Sequence, residues 1–175
     1  TPKKAANFNK GDHVVYPAHG VGKIEGIENV KVSGMDVSLY NISFIKDRMR
    51  LKLPVNKVQN SGLRQLSTQN DLKEAVETMK GRSYIKKTMW SRRAQEYEGK
   101  INSGSPVLIA EVLRDLRRNA LGEDQSYSER QIYDLALERL ASEFAAVKSI
   151  SEQKACKEIV KVLVDHAAVK KEDKN

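Results

Sequence analysis

The sequence RMRLKL, residues 48–53, alternates basic and apolar side chains more regularly than any other stretch of this chain. Successive side chains of a β-strand point to opposite faces, so the pattern predicts a strand with one apolar and one basic face. The apolar face would carry Met49, Leu51 and Leu53, and the basic face would carry Arg48, Arg50 and Lys52. Pro54 would end the strand because proline has no backbone N–H for a sheet.

The segment around this strand, from Phe8 to about Leu66, continues the β pattern. Short runs rich in β-branched and aromatic residues are separated by turns, including a hairpin signal at Ser33-Gly34. The predicted strands are Val14–Tyr16, Val21–Val32, Val37–Ile45, Arg48–Leu53 and Gly62–Leu66. Five short strands with tight turns predict a small, half-open SH3-like or Tudor-like β-barrel.

After Leu66 the spacing of apolar residues changes from two to about 3.6, which indicates helices. The predicted apolar stripes are Leu72, Val76 and Met79; Trp90, Ala94, Tyr97 and Ile101; Ile109, Val112, Leu113 and Leu116; Ile132, Leu135, Ala136, Leu140 and Phe144; and Ala155, Ile159, Val162, Leu163 and His166. The fold class is therefore α+β in two domains, with a compact all-α C-terminal domain. We expect a disordered basic N-terminus at 1–7, a Tudor-like domain at 8–67, a helical domain at 68–169 and a disordered tail at 170–175.

Polar residues mark the expected helix starts. Asn70 is a candidate cap for the first helix, and Ser105 followed by proline opens the third. Ser126 with Glu129 three residues later has the pattern of a capping box.

The net charge of +8 is concentrated in two blocks. Residues 1–70 have 11 Lys and Arg against 5 Asp and Glu, and residues 80–120 have 10 against 4, so each block has a net charge of +6. Either block is a candidate for binding phosphates or an acidic surface. The alternative is that the charge serves only solubility.

Several classes of protein are disfavoured by the sequence. No apolar run approaches the roughly 18 residues of a membrane span, and the basic start TPKKAANFNK lacks the apolar core of a signal peptide. A single cysteine, Cys156, suits a reducing cytosol, so we expect a cytoplasmic protein.

No enzyme signature is present. Gly99-Lys100 lacks the rest of a phosphate-binding loop, and His13, His19 and His166 are too scattered for metal-ligand spacing. Cys156 lies beside an apolar helical stripe and is expected to be a buried, inert thiol. We predict a protein that is not an enzyme and needs no cofactor or metal.

Two binding sites are predicted. If the strand with Arg48, Arg50 and Lys52 lies at a sheet edge, it could accept a strand from an acidic partner, although a charged edge also guards against aggregation. The second site is Trp90, followed by Arg92 and Arg93, in a segment that ends in Arg114, Arg117 and Arg118. An aromatic wedge beside cations could unstack a base step from the minor groove, although a tryptophan at helical spacing is usually core.

The sequence resembles the CarD/CdnL family of bacterial transcription regulators. FNKGDHVVYPAHGVGKIEGIE at 8–28, YNISF at 40–44, LKLPVNKV at 51–58 and GLRQL at 62–66 resemble its N-terminal module. That module is also similar to the RNA polymerase-interacting domain of transcription-repair coupling factor. MWSRRAQEYEGKINSG at 89–104, IAEVLRDLRRN at 109–119 and SYSERQIYDLALERLASE at 126–143 resemble its helical C-terminal domain.

The resemblance implies a function. The N-terminal module of the family binds the RNA polymerase β subunit by strand pairing, and its C-terminal helices contact promoter DNA just upstream of the −10 element. A family tryptophan wedges into the minor groove at the upstream edge of the transcription bubble and slows its collapse. That role carries over to Trp90, with Arg92 and Arg93 as the basic pair beside it. The polymerase contact before the PV motif carries over to Lys52, next to Pro54, and we expect a monomer.

Two rival functions remain open at this point. A sequence-specific helix-turn-helix repressor would use residues 107–119 as its recognition helix, bind DNA tightly without polymerase and form a symmetric dimer. A nucleic-acid-processing enzyme would show turnover that depends on a metal or a nucleotide.

Overall fold

The computed structural model describes residues 7–44, 46–123 and 125–167. The chain divides into two compact units, residues 1–66 and residues 67–175, called here the sheet unit and the helical unit. The disorder predicted for the first residues and for 170–175 falls on positions outside the described residues, apart from Asn7. The same holds for Ile45, which was expected to end the third strand.

The sheet unit is built on five antiparallel strands. They are β1 His13–Tyr16, β2 Gly20–Val32, β3 Met35–Phe44, β4 Met49–Pro54 and β5 Arg64–Gln65. The strand order is β4-β3-β2-β1-β5, so β4 and β5 are the two edges of an open sheet. The five strands were predicted, but a barrel is not confirmed, because the sheet is not closed. Residues 55–61 form a 3-10 turn, Val55–Lys57, and a short helix α1, Val58–Ser61, which the sequence pattern did not predict.

Backbone geometry in the sheet follows from glycine and small polar residues. Ser33 and Gly34 both have positive φ, 52° and 80°, as a two-residue type I′ hairpin between β2 and β3 requires. The register of the same two strands shifts between Ile24 and Gly26, an irregularity of the kind that a β-bulge at a glycine produces.

One face of the sheet forms the core of this unit. Tyr40, Ile42 and Phe44 are buried on the same face of β3, as their alternation predicted. On β4, Leu53 is buried and Met49 and Leu51 pack against the core. The expected strand boundaries are wrong by one residue, because Arg48 lies in the preceding turn with a φ of 50° and Pro54 is the last strand residue.

The helical unit contains the five predicted helices. They are α2 Gln69–Lys80, α3 Trp90–Asn102, α4 Pro106–Asp115, α5 Tyr127–Lys148 and α6 Glu152–Ala167, with a 3-10 helix at Arg117–Asn119. Helix α4 packs against α2, α3 and α5, and α6 packs against α5 and α2. The predicted stripes supply most of this core. Leu135 is an exception because it is 36% exposed, whereas its neighbour Tyr133 is buried.

Two of the predicted caps need correction. Helix α2 is capped by Thr68 rather than Asn70, in a capping box with Asp71. Ser126 does cap α5 by accepting a hydrogen bond from the Glu129 amide. The Glu129 side chain is bonded elsewhere, to Arg118 and Asn119, so the reciprocal half of that box is not formed. Ser105 caps α4 as predicted.

Candidate nucleic-acid and protein interfaces

Trp90 is the first residue of α3 and is half-buried. One side of the indole packs against the helical core, and its ring centroid is 6.3 Å from that of Tyr97. The indole Nε1 donates a hydrogen bond to Ser128 Oγ on α5 at 3.1 Å. The tryptophan is therefore anchored to the core without being enclosed by it, which leaves part of the ring accessible to a ligand.

The two arginines that follow Trp90 have different surroundings. The Arg93 guanidinium lies over the rings of Trp90 and Tyr97, at 5.4 and 5.8 Å from their centroids, and donates to the Tyr97 hydroxyl at 3.3 Å. Its Nε is buried and has no hydrogen-bond partner among the described residues. Arg92 is exposed to solvent. Arg93 therefore packs on the rings of Trp90 and Tyr97 and forms with them a surface called here the tryptophan platform, whereas the Arg92 side chain is open to solvent.

Exposed apolar side chains lie beside this platform in the sequence. Met89, which precedes Trp90, is 77% exposed, and Tyr127, which precedes Ser128, is 79% exposed. Apolar groups concentrated on a surface are typical of binding sites. The sequence patterns did not single out Met89, Tyr127 or Ser128, because each falls outside an apolar stripe. They are identified instead by their connection to Trp90: Met89 precedes it in the chain, Ser128 bonds its indole, and Tyr127 precedes Ser128.

Arg117 is an interior residue. Only 5% of its surface is exposed, and its guanidinium donates to the backbone carbonyls of Met79, Gly81, Arg114 and His166. Burial lowers the pKa of this guanidinium, with nearby Arg114 as the second cause. The structure argues against the predicted DNA contact at Arg117, since the group that would meet a phosphate already joins α2, α4 and α6.

Arg114 and Arg118 also have internal partners. Arg114 Nε bonds Asp115 Oδ1 at 3.0 Å, and the same carboxylate oxygen accepts the Tyr84 amide at 2.8 Å. Arg118 makes two hydrogen bonds to Glu129, the shorter being 2.6 Å, and the hydrogen bond raises the pKa of Arg118. Asp115 and Glu129 are buried, so each arginine supplies a donor that a buried carboxylate requires. Arg118 retains an exposed part, whereas Arg114 is largely covered.

The segment 107–119 does not have the surface of a recognition helix. The structure describes all of these residues, and every one from Val107 to Arg117 is buried or half-buried. Regular α-helix ends at Asp115, before the three-residue 3-10 helix. A recognition helix must present several side chains to base edges in the major groove. The helix-turn-helix interpretation is therefore disfavoured, because α4 is the central packing helix of its unit.

The second candidate surface is the outer edge of β4. In the sheet order this strand pairs with β3 and has no strand on its other side within the described residues. Alternate residues of such an edge direct N–H and C=O groups away from the sheet, where another strand can pair with them. The opposite edge strand, β5, has only two residues and offers far less to a partner.

The basic side chains of β4 face solvent on one side of the sheet. Arg50 and Lys52 are exposed, and Lys52 Nζ lies 3.1 Å from Glu28 Oε2 on β2. The hydrogen bond from Lys52 holds the pKa of Glu28 below its usual value, with a second contribution from Asn41. An exposed pair of this kind contributes little to stability, so both lysine and carboxylate remain available to a partner.

No cluster that could hold a metal ion occurs among the described residues. Within the same part of the chain, no helix has both the length and the apolar character that a bilayer span requires. Cys156 is half-buried rather than fully buried, and it packs against the helical core.

Comparisons with known proteins agree with this two-part organisation. Residues 8–67 match the CarD-like/TRCF RID domain, and residues 74–160 match the CarD C-terminal domain. Bacillus subtilis (strain 168) YdeB, whose name describes it as a proposed transcription factor, is 31% identical over 146 residues, which cover 83% of this chain and 95% of YdeB.

A solved structure of CdnLNt from Myxococcus xanthus is 38% identical, with a TM-score of 0.31, and covers 38% of this chain and 93% of that one. The two domain matches together cover more than half of the chain, and the YdeB match extends over 83% of it. The chain belongs to the CarD/CdnL family of transcription regulators.

Proposed function

We propose that this protein binds the RNA polymerase β subunit and stabilises the promoter open complex without catalysing a reaction. Residues 8–67 would form the polymerase-binding domain and residues 68–169 the DNA-contacting domain. The observation that carries the proposal is the half-buried indole of Trp90, which is anchored on one side and accessible on the other. The protein would act as a monomer in the cytoplasm, where polymerase works.

Trp90 is the group that would enter the minor groove at the upstream edge of the bubble near the −10 element. Wedging an apolar side chain into a base step costs a few kcal/mol of unstacking. The cost is lowest where the DNA is already melted, so the wedge favours the open state over the closed one. Exposed Arg92 and the exposed part of Arg118 would offset the cost through phosphate contacts. Such contacts read shape and charge, so sequence specificity would be slight.

The outer edge of β4 is the surface that would bind polymerase. A strand of the β subunit would pair with the outward backbone groups of Met49–Pro54, and Arg50 and Lys52 would favour an acidic segment. Pro54 would limit the pairing at the end of the strand, because it has no N–H. Arg48 would contribute from the turn before β4, where it is exposed.

The polymerase contact can be tested by the affinity of the full chain for an isolated β-subunit lobe. Lys52→Glu should weaken binding about tenfold or more, because it places a like charge against an acidic partner. Lys31→Glu is a matched control, since Lys31 is exposed and lies on the opposite face of the β2–β3 hairpin from Glu28 and Lys52. Equal affinities for both variants and the wild type would contradict the proposed contact.

A further inference from the structure

The indole N–H of Trp90 donates a hydrogen bond to a residue that is distant in the sequence. Ser128 is the second residue of α5, and its Oγ accepts the indole N–H at 3.1 Å across 38 positions of the chain. The bond joins the first turn of α3 to the first turn of α5. The orientation of the indole therefore depends on two helices.

The beginning of α3 has little local restraint. Met89 occupies the cap position and supplies no side-chain hydrogen bond to the first turn. Its carbonyl accepts the amides of Arg92 and Arg93. Helix starts without a polar cap are prone to fraying. The position of the Trp90 ring therefore depends on side-chain contacts: its packing on the helical core, the Arg93 guanidinium over it and the hydrogen bond to Ser128.

The beginning of α5, in contrast, is firmly anchored. Ser126 caps the helix, Glu129 is 2% exposed and bonds Arg118 and Asn119, and Arg130 Nη1 donates to the Asn119 carbonyl at 3.1 Å. Because Ser126 already performs the capping, the hydroxyl of Ser128 can serve the indole. The first turn of α5, which is itself well anchored, thus offers Ser128 Oγ as an acceptor to the Trp90 indole.

We propose that Ser128 is a positioning residue for Trp90, holding the indole in the orientation in which it meets DNA. The inference rests on the proposed wedge function of Trp90. A preorganised ring loses less conformational freedom on binding than a mobile one, so the restraint increases the stability of the bound state. The bond is made by the Ser128 hydroxyl, so Ser128→Ala removes it and Ser128→Thr retains it.

The first arm of the test uses the free full-length protein. Trp90 is the only tryptophan, so tryptophan fluorescence reports on this ring alone. Ser128→Ala should increase acrylamide quenching and lower the anisotropy, whereas Ser128→Thr, which keeps a hydroxyl, should resemble the wild type. Ser142→Ala is the matched control, because it removes a hydroxyl of the same helix that bonds Glu152. Alanine is a better helix former than serine, so loss of folding is not expected in either alanine variant.

The second arm measures the lifetime of promoter open complexes formed with cognate polymerase. Ser128→Ala should shorten the lifetime about two- to tenfold, as expected for one lost hydrogen bond, while Ser128→Thr and Ser142→Ala should leave it unchanged. A Ser128→Ala protein with normal fluorescence, or with altered fluorescence and a normal lifetime, would overturn the proposal. If Trp90→Ala itself leaves the lifetime unchanged, the wedge function fails. The fluorescence arm would still decide whether Ser128 orients the ring.

Discussion

Strand β4 and the segment that follows α4 both carry closely spaced cations, but the two regions place them in different environments. Arg50 and Lys52 of β4 are exposed, and the ion pair of Lys52 with Glu28 lies on the solvent face of the sheet. Arg117 is buried among four carbonyl groups, and Arg118 bonds a buried carboxylate. The sheet edge thus leaves its charge exposed to solvent, whereas the helical unit uses most of its clustered positive charge in contacts between helices.

The cations of the two regions differ in exposure because β4 is an edge strand, whereas the end of α4 is packed among other helices. Half of the side chains on an edge strand must point to solvent, so a cation there needs no internal partner. The end of α4 is enclosed by α2, α5 and the 3-10 helix, where unpaired carbonyls and carboxylates require donors. A block of positive charge in a sequence can therefore mark either a ligand surface or the polar interior of a helical domain.

The largest expected effect comes from removing the guanidinium of Arg117. Arg117→Ala should lower the free energy of unfolding of the helical unit by about 3–4 kcal/mol, because it leaves several buried carbonyls without a donor. Urea denaturation followed by circular dichroism would measure the change. The matched substitution Arg92→Ala, at an exposed position, should change the same quantity by less than about 0.5 kcal/mol. Similar values for both variants would remove the distinction between the two kinds of arginine.

A second test concerns the buried carboxylate of Glu129. Glu129→Gln should destabilise the helical unit by about 2–3 kcal/mol, because Arg118 would lose its charged partner beside the 3-10 helix. Glu98→Gln, at an exposed position on α3, is the control and should have little effect. If Glu129→Gln is tolerated as well as Glu98→Gln, Arg118 does not depend on this pair. Its place among the DNA contacts would then be strengthened.

The smallest effect concerns a buried phenol and appears only at high pH. Burial raises the pKa of Tyr133 to about 12, while the Arg130 guanidinium over its ring opposes that rise. Since the folded pKa is above the ordinary value of about 10, the phenol stabilises the fold fully below pH 10 and loses that contribution between pH 10 and 12.

Stability of the wild type and of Tyr133→Phe should be compared at pH 9 and pH 12. The difference in the free energy of unfolding should shift by about 2 kcal/mol in favour of Tyr133→Phe at the higher pH, because only the wild type has this phenol to ionise. Lysine titration affects both proteins equally and cancels in the comparison. A constant difference across this range would show that Tyr133 is not an interior group like Arg117.

Much of the fold could be predicted because its signals are local. Alternation in residues 48–53, two positive-φ residues at the hairpin, and the 3.6-residue stripes each depend on near neighbours in the chain. How far the sheet closes could not be predicted, because closure depends on how β4 and β5 lie in space. Thr68 was missed as a cap because Asn70, two residues later, is a residue type more strongly favoured at N-caps.

The sequence predicted the central residue of the candidate site, Trp90, but not its hydrogen bond with Ser128 or the burial of Arg117. Trp90 stands out as a single tryptophan beside two arginines, and its position at the first turn of α3 was expected from the helical spacing. Ser128 comes from another helix, and the burial of Arg117 follows from three helices meeting. Neither has a sequence signal, since each depends on contacts between residues more than 30 positions apart.

The central claim is that the accessible indole of Trp90 and the basic edge of β4 together stabilise the open complex. It is tested most directly by the lifetime of preformed promoter open complexes after a competitor challenge. Reactions would contain cognate polymerase with no added protein, wild type, Trp90→Ala, Lys52→Glu or the control Lys31→Glu. We predict that the wild type and Lys31→Glu lengthen the lifetime and that Trp90→Ala and Lys52→Glu lose most of that effect. A wild-type protein that binds polymerase but leaves the lifetime unchanged would contradict the claim.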